Sequence, residues 1–273
     1  MKANATIRPD GYVSVVCVKQ VPDTKRVTGE AMKADGTINR ATLPAIFNPE
    51  DRNALEAALS VKERYGGKVI AVAMGLPAAD QVLREALFAG ADEAYLVTDR
   101  AAAGSDTLAT SYILSQAVKR FKPDLVFCGR QAIDGDTAQT GPQIAEKLGF
   151  PAITYLQELE LDGDRALAVR DIGTGVERDR VRLPALFTVT EAFGALRPAD
   201  VRRVMKYKAF EPPRLSCADL GCDPERCGFA GSPTSVSKIE SVVLAGGDFR
   251  EVEATDAGIG ELVRSLIADH TIG

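Results

Sequence analysis

The sequence predicts an α/β protein with a doubly wound, mostly parallel sheet, an antiparallel hairpin region and an extended C-terminal arm. Short apolar runs at 13–18, 68–73, 93–97 and 124–128 are typical of strands buried on both faces. Segments with helical spacing lie between them, and this alternation favours a parallel sheet covered by helices. After about position 151, polar and apolar residues alternate instead, as they do in antiparallel strands.

The helices of the first half have recognisable starts and ends. Pro49 opens the first helix, and its apolar residues keep helical spacing until Gly66 and Gly67 stop it. The next helices are predicted at 79–89, 106–121 and 137–148. Helices of this length between buried strands favour right-handed crossovers.

The second half contains hairpins, an arm and a last helix. Alternating strands at 153–161, 165–170 and 176–183 are separated by short turns rich in Gly and Asp, and an apolar strand follows at 184–190. The Pro, Gly and Cys content of 206–240 argues against a compact core there, so this stretch is expected to be an arm lying on another surface. An amphipathic helix is expected at 259–268. We divide the chain into an α/β domain, 1–205, and a C-terminal arm and helix, 206–273.

Composition excludes several classes of function. The net charge of −5 gives no support for nucleic-acid binding. No apolar run is long enough to cross a bilayer, and the first 11 residues lack an apolar signal core. Five cysteines, an odd number, in such a chain predict reduced thiols in the cytoplasm. The single histidine, His270, argues against a histidine base, triad or multi-histidine metal site.

The segment CGRQAIDGDTAQTGP, called here the 128–142 loop, has the chemistry of a phosphate-binding site. It follows a predicted strand and runs into a predicted helix, whose N-terminus offers free N–H groups to a phosphate. Thr137, Gln139 and Thr140 carry side-chain donors, and Gly135 and Gly141 allow close backbone approach. Asp134 and Asp136 are expected to cap the helix or to fix the loop. The plainer alternative is a capped helix after a polar loop.

Other strand ends are expected at the same edge of the sheet. Cys17 and Lys19 end the first strand, and Met74 and Gly75 end the second. Asn48, Glu50 and Asp51 lie at the start of the first helix. Each has a local alternative, such as Asn48 as a helix cap or Met74 as core filler.

Standard cofactor and metal motifs are missing from the sequence. Neither GxGxxG after a strand nor GxxxxGK[ST] occurs. Cys217, Cys222 and Cys227 have the spacing C-x4-C-x4-C, whereas zinc ribbons and knuckles use C-x2-C pairs. We therefore expect buried thiols and no metal site there.

Five segments together resemble the beta subunit of electron-transferring flavoproteins, over nearly the whole chain from Val13 to about Lys238. They are VCVKQVPDT in the 15–24 region, NPEDRNALEAAL at 48–59, GADEAYLV at 90–97, GRQAIDGDTAQTGP at 129–142 and GSPTSV at 231–236. The fourth is the nucleotide loop of that family.

The resemblance implies a flavodoxin-like domain with an arm that embraces an alpha subunit. Simple carriers of the family hold AMP in this pocket, and electron-bifurcating members hold a second FAD. The sequence is closer to the bifurcating and nitrogen-fixation members at Pro22-Asp23-Thr24, Glu50-Asp51 and Gly135-Asp136-Thr137. It therefore implies FAD, with AMP as the alternative, and a redox activity that exists only within a flavoprotein complex.

The resemblance also implies the binding residues. Those implied for the cofactor are Cys17, Asn48, Asp51, Met74, Gly75, Arg130, Gln131, Ala132, Asp134, Gly135, Asp136, Thr137, Ala138, Gln139, Thr140 and Gly141. No side chain is expected to act as a catalytic acid or base, because the flavin performs the redox chemistry.

Partners are implied in the same way. They are an alpha subunit, an acyl-CoA dehydrogenase-like or other dehydrogenase, and ferredoxin or flavodoxin as acceptor, with NADH as the electron donor. Docking to the dehydrogenase maps onto 197–205, with Arg197, Val201 and Met205 as its residues. The lead-in at 194–199 departs from the family pattern, so the identity of that dehydrogenase stays open.

Two other classes of function share the predicted fold. A regulatory module that senses ATP or AMP would use the same helix-terminus phosphate site. A scaffold subunit would bind no cofactor at all. A visible flavin spectrum separates the first class from a flavoprotein, and the ultraviolet spectrum of denatured protein identifies the second.

Overall fold

The computed structural model describes residues 8–23, 43–235 and 251–272. The described strands are β1 (Tyr12–Val18), β2 (Gln20–Pro22), β3 (Ala45–Phe47), β4 (Gly67–Met74), β5 (Glu93–Val97), β6 (Leu125–Gly129), β7 (Ala152–Asp162), β8 (Arg165–Asp171), β9 (Val176–Arg182), β10 (Ala185–Val189) and β11 (Arg214–Leu215). The described α-helices are α1 (Pro49–Tyr65), α2 (Asp80–Ala89), α3 (Thr107–Arg120), α4 (Thr140–Leu148), α5 (Val201–Tyr207) and α6 (Asp256–Ala268).

The central sheet has the order β11-β5-β4-β1-β6-β10-β7-β8-β9. All pairs from β11 to β7 are parallel, and β8 and β9 extend this sheet as antiparallel strands. The short strands β2 and β3 form a separate antiparallel pair. The predicted α/β fold with a mostly parallel sheet is therefore confirmed.

Helices cover both faces of the sheet, because its strands are apolar on both sides. Val16 of β1 belongs to the core that contains Leu55 of α1 and Leu83 of α2. Its neighbour Val15 points to the opposite face, where Ile113 of α3 and Ile144 of α4 complete a second core. None of the described helices combines the length and apolarity needed to cross a bilayer.

The fourth helix starts later than predicted. It was expected at 137–148, but α4 begins at Thr140. The reason is the backbone at Asp136 and Ala138, whose φ angles of 47° and 54° are left-handed and incompatible with an α-helix. Neither aspartate of the loop caps α4, since its N-cap residue is Gln139 and makes no side-chain cap hydrogen bond.

The arm partly packs on its own domain. Leu215 is buried in β11, which pairs with β5, and Phe210 and Leu220 lie against the two cores. These three residues are therefore covered by the chain's own domain, whereas Phe229 is 76% exposed. Residues 236–240 of the predicted arm lie outside the described residues, and the boundary at 205/206 stays a prediction. The last predicted helix is confirmed as α6.

Candidate functional site

The loop after β6 lies where the connections of the sheet reverse direction. From β1 the chain crosses through α1 to β4 on one side, whereas β6 lies on the other side of β1. In open α/β sheets, ligands bind in the crevice beyond the carboxyl ends of such strands. Lys19 and Arg130 directly follow these two strands and mark the site.

Asp51, in the first turn of α1, joins the two strand ends. Its carboxylate accepts hydrogen bonds from the backbone N–H groups of Lys19 at 2.8 Å and Gly129 at 3.1 Å. A Cβ atom at position 129 would lie 2.4 Å from Asp51 Oδ1, so a larger residue cannot fit there. Burial raises the pKa of Asp51 to about 7, against the lowering effect of Asn48 and these hydrogen bonds.

Asn48 binds the backbone of the 128–142 loop through two side-chain hydrogen bonds. Its Nδ2 donates to the carbonyl of Gln131 at 2.9 Å, and its Oδ1 accepts from the N–H of Ile133 at 3.2 Å. Its side chain makes no cap hydrogen bond to α1. Because Asn48 and Asp51 are buried and their polar atoms are used, their structural role is to position the loop. Direct contact with a cofactor stays a prediction for both.

The carboxylates around the loop are paired. Asp134 binds Lys19 Nζ at 2.8 Å, and Glu50 binds Arg130 at 2.7 Å. Glu50 also accepts the N–H of Gln131, and the Gln131 side chain donates to Asp136 at 2.8 Å. These contacts offset negative charge that would repel a phosphate group.

Five consecutive backbone N–H groups, those of 137–141, lie at the end of this loop. The N–H groups of Gly135 and Asp136 donate to Ala132, but no described residue accepts from those of 137–141. Asp136 and Ala138 have left-handed φ angles, and left-handed residues of this kind occur in anion-binding nests of backbone N–H groups. Thr140 and Gly141 add the free N–H groups of the first turn of α4.

The two glycines of the loop have different surroundings. A Cβ atom on Gly141 would lie 2.8 Å from Thr188 Cγ2, so glycine lets α4 start directly on the strand ends. A Cβ atom on Gly135 would have no neighbour within 4 Å. Gly135 therefore faces open space, and its predicted role of letting the loop backbone approach a phosphate stays a prediction.

The other predicted residues lie at the same edge. Cys17 and Cys128 are register partners on β1 and β6, and the Cys17 thiol, together with burial, raises the pKa of Cys128 well above its ordinary value. Met74 ends β4, and the N–H of Gly75 donates to Val97 at 3.0 Å.

Sequence reasoning missed three contributors. Thr188 accepts a hydrogen bond from the N–H of Tyr155 at 3.2 Å, and the guanidinium of Arg130 lies 5.7 Å from the Tyr155 ring centre. Thr107 binds the Gln139 side chain at 3.1 Å. Thr188 could have been predicted from the sequence, since it is a hydroxyl residue near the end of an apolar strand. No feature of the sequence indicates that Tyr155 and Thr107 lie at the site.

The predicted docking segment begins with a fixed residue and continues as an exposed helix. Arg197 binds Glu56 of α1 at 2.8 Å. Val201 and Met205 on α5 are 75% and 63% exposed. The structure thus anchors one end of the segment and leaves two apolar side chains on the surface.

Comparison with known proteins gives the family. A family model described as the electron transfer flavoprotein domain matches residues 35–213, which is more than half of the chain. The chain belongs to the electron transfer flavoprotein family. The match includes the whole 128–142 loop together with Asn48, Glu50 and Asp51, whereas Cys17 and Lys19 precede the matched range.

Relatives of this electron transfer flavoprotein chain cover most of its length. The electron transfer flavoprotein subunit beta of Thermoanaerobacterium thermosaccharolyticum is 46% identical over 81% of this chain and 85% of its own. The caffeyl-CoA reductase-Etf complex subunit CarD of Acetobacterium woodii is 43% identical over 94% of this chain and 99% of its own. Protein FixA of Azorhizobium caulinodans is 40% identical over 92% of this chain and 93% of its own. The similarity to beta subunits confirms the resemblance found in the sequence.

Proposed function

We propose that this chain binds FAD at the 128–142 loop and, paired with an alpha subunit, passes electrons from NADH to partner redox proteins by flavin-based electron bifurcation. Bound FAD would supply two-electron chemistry with NADH and one-electron transfer to the acceptors. The residues of this chain would bind and orient the cofactor and would take no part as acids or bases.

The free N–H groups at 137–141 carry this proposal. A phosphate group needs several donors in a concave arrangement, and the left-handed residues Asp136 and Ala138 create one beside the N-terminus of α4. A left-handed alanine is strained, and such strain is typical of a ligand-binding backbone.

Charge and space at the loop favour a dinucleotide over AMP. A pyrophosphate carries more negative charge than a single phosphate, so nearby carboxylates would repel it more strongly. Lys19 and Arg130 offset the charges of Asp134 and Glu50, and this reduces the repulsion that the pyrophosphate of FAD would meet. Gly135 adds open space on the exposed side of the loop. The relative CarD carries the name of a subunit of a caffeyl-CoA reductase-Etf complex, which supports a dehydrogenase or reductase partner for this chain.

Cofactor stoichiometry tests the proposal. The heterodimer, produced with its alpha subunit, would be denatured and its released nucleotides separated and quantified. Two FAD and little AMP per heterodimer are expected. One FAD with one AMP would make the protein a simple carrier, and no bound nucleotide would leave it as a scaffold subunit.

Reduction by NADH tests the second half of the proposal. NADH added anaerobically should bleach the flavin absorbance of the heterodimer. The same experiment with a variant that carries Gly135→Asp, expected to hold less FAD, separates reduction at this site from reduction at the alpha-subunit flavin. Equal reduction in both proteins would place the NADH reaction elsewhere.

A further inference from the structure

Three cysteines of the C-terminal region meet at one point. The sulfur atoms of Cys217, Cys222 and Cys227 all lie within 4.8 Å of one another. All three are free thiols; Cys217 and Cys227 are buried and Cys222 is partly exposed. The spacing C-x4-C-x4-C predicted no metal site, so this convergence is a property of the folded chain.

Two successive turns bring the sulfur atoms together. The N–H of Cys222 donates to the carbonyl of Cys217 at 2.9 Å, which closes the first interval. The second interval contains the 3₁₀ turn Pro224–Arg226, after which the Cys227 thiol donates to the carbonyl of Asp223 at 3.3 Å. Each four-residue interval therefore returns the next cysteine to the same place.

Contacts from outside this stretch hold the arrangement. Asp99, which follows β5, accepts the N–H of Cys217 at 2.9 Å, and the hydroxyl of Tyr112 on α3 accepts the N–H of Asp223 at 2.9 Å. The Arg226 guanidinium lies 3.8 Å from the centre of the Tyr112 ring. The three thiols are thus fixed by two different elements of the domain.

We propose that Cys217, Cys222 and Cys227 bind one zinc ion through their thiolates. Zinc–sulfur bonds of about 2.3 Å in a tetrahedral site place the sulfur atoms about 3.8 Å apart, a small contraction from the spacing seen here. A [4Fe–4S] cluster, in which each cysteine binds a different iron atom, needs wider spacing. Soft thiolate ligands also favour zinc over magnesium or calcium.

Asp99 positions a ligand and is not a ligand itself. One carboxylate oxygen accepts the N–H of Ala101 at 3.0 Å and the other accepts that of Cys217. Such outer contacts orient metal-binding residues. Since the described residues supply three cysteine ligands, the fourth coordination position would be left for water.

The ion would fix a segment that has little apolar core of its own. This segment is the connection after β11, residues 216–235. Leu215, which precedes it, is buried, but Phe229 within the segment is 76% exposed. Zinc binding contributes directly to folding in such small segments. The site would therefore hold the connection after β11 against β5 and α3.

Metal analysis of the heterodimer tests the proposal. The full-length chain, produced with its alpha subunit in zinc-supplemented medium and passed over a desalting column, should contain about one zinc per chain by elemental mass spectrometry. Cys217→Ser, Cys222→Ser and Cys227→Ser should each lower this value at least fivefold. Cys128→Ser removes a buried thiol elsewhere and should leave the zinc content unchanged.

Cobalt provides a measurement that does not depend on variants. Wild-type protein treated with chelator and then given Co²⁺ should show the intense visible bands of tetrahedral cobalt and a thiolate-to-cobalt charge-transfer band. A weak octahedral spectrum together with zinc below one tenth per chain would overturn the proposal. A disulfide between two of the three cysteines, found in the freshly isolated protein, would overturn it too, as would iron with acid-labile sulfide.

Discussion

The carboxylate of Asp51 accepts a hydrogen bond from the N–H of Gly129, which connects the first turn of α1 to the end of β6. Its second oxygen binds the N–H of Lys19 at the end of β1. One buried side chain therefore connects the ends of β1 and β6, where the direction of the strand connections reverses. The 128–142 loop begins beside these two hydrogen bonds of Asp51.

The buried position of Asp51 predicts a pH-dependent stability. Its pKa is raised from 3.8 to about 7 in the folded protein. The neutral form is thus favoured by folding, so this contribution is present below about pH 4 and is lost as the pH rises through 7. Asp51→Asn removes the titration. Its free energy of unfolding should therefore fall below that of wild type by about 3 kcal/mol more at pH 5 than at pH 8.

Urea unfolding of both proteins between pH 5 and pH 8 measures this difference. Asp164→Asn, at an exposed carboxylate in the turn between β7 and β8, is a suitable control. A constant difference between wild type and Asp51→Asn across this range would show that Asp51 is ionised throughout.

Gly135 predicts a charge effect on cofactor retention. The side chain of Gly135→Asp has open space, so the fold should be unchanged. A new carboxylate near the phosphate site should weaken FAD binding by about 1 kcal/mol, or roughly fivefold. Gly135→Asn has nearly the same shape without the charge and should keep most of the FAD. The measurement is the ratio of flavin absorbance to protein after dialysis, and equal loss in both variants would make the effect steric.

The sequence predicted the main strands because buried parallel strands are continuous apolar runs, and it predicted the site because strand ends of such sheets converge. Two features of the fold were not predicted, each for a local reason. The left-handed φ angle of Ala138 shortened α4, and alanine gives no hint of that conformation. The two-residue strand β11 is too short to show a period.

The cysteine cluster could not be predicted from spacing. Its geometry depends on Asp99 and Tyr112, which precede the cysteines by more than 100 residues and hold the backbone of the loop. The hydrogen bond between Asp51 and Gly129 could not be predicted either, since the distance between these residues depends on how α1 packs on β6. Contacts between distant segments leave no periodic trace in a single sequence.

Val201 predicts an effect on partner recognition alone. Its side chain on α5 is 75% exposed and is not part of the hydrophobic core. Val201→Ala should raise the KM for a partner dehydrogenase roughly fivefold, because about 1 kcal/mol of apolar contact is lost. Dye reduction and flavin content should stay at the wild-type level. Val176→Ala, at another exposed valine, on β9, is the matched control, and an equal KM for both variants would remove α5 from the docking surface.

The last helix predicts where the alpha subunit binds. Ile259, Leu262, Val263 and Ile267 repeat at helical spacing along one side of α6, and each is at least 41% exposed. An apolar stripe of this kind marks an interface, so the chain should aggregate when produced alone. Leu262→Glu should weaken the heterodimer by about 2 kcal/mol, or roughly thirtyfold in Kd. Ala268→Glu introduces the same side chain on the opposite side of α6 and should have little effect. Sedimentation of the heterodimer over a dilution series measures both, and an unchanged Kd for Leu262→Glu, or a stable monomer of the wild-type chain alone, would place the interface elsewhere.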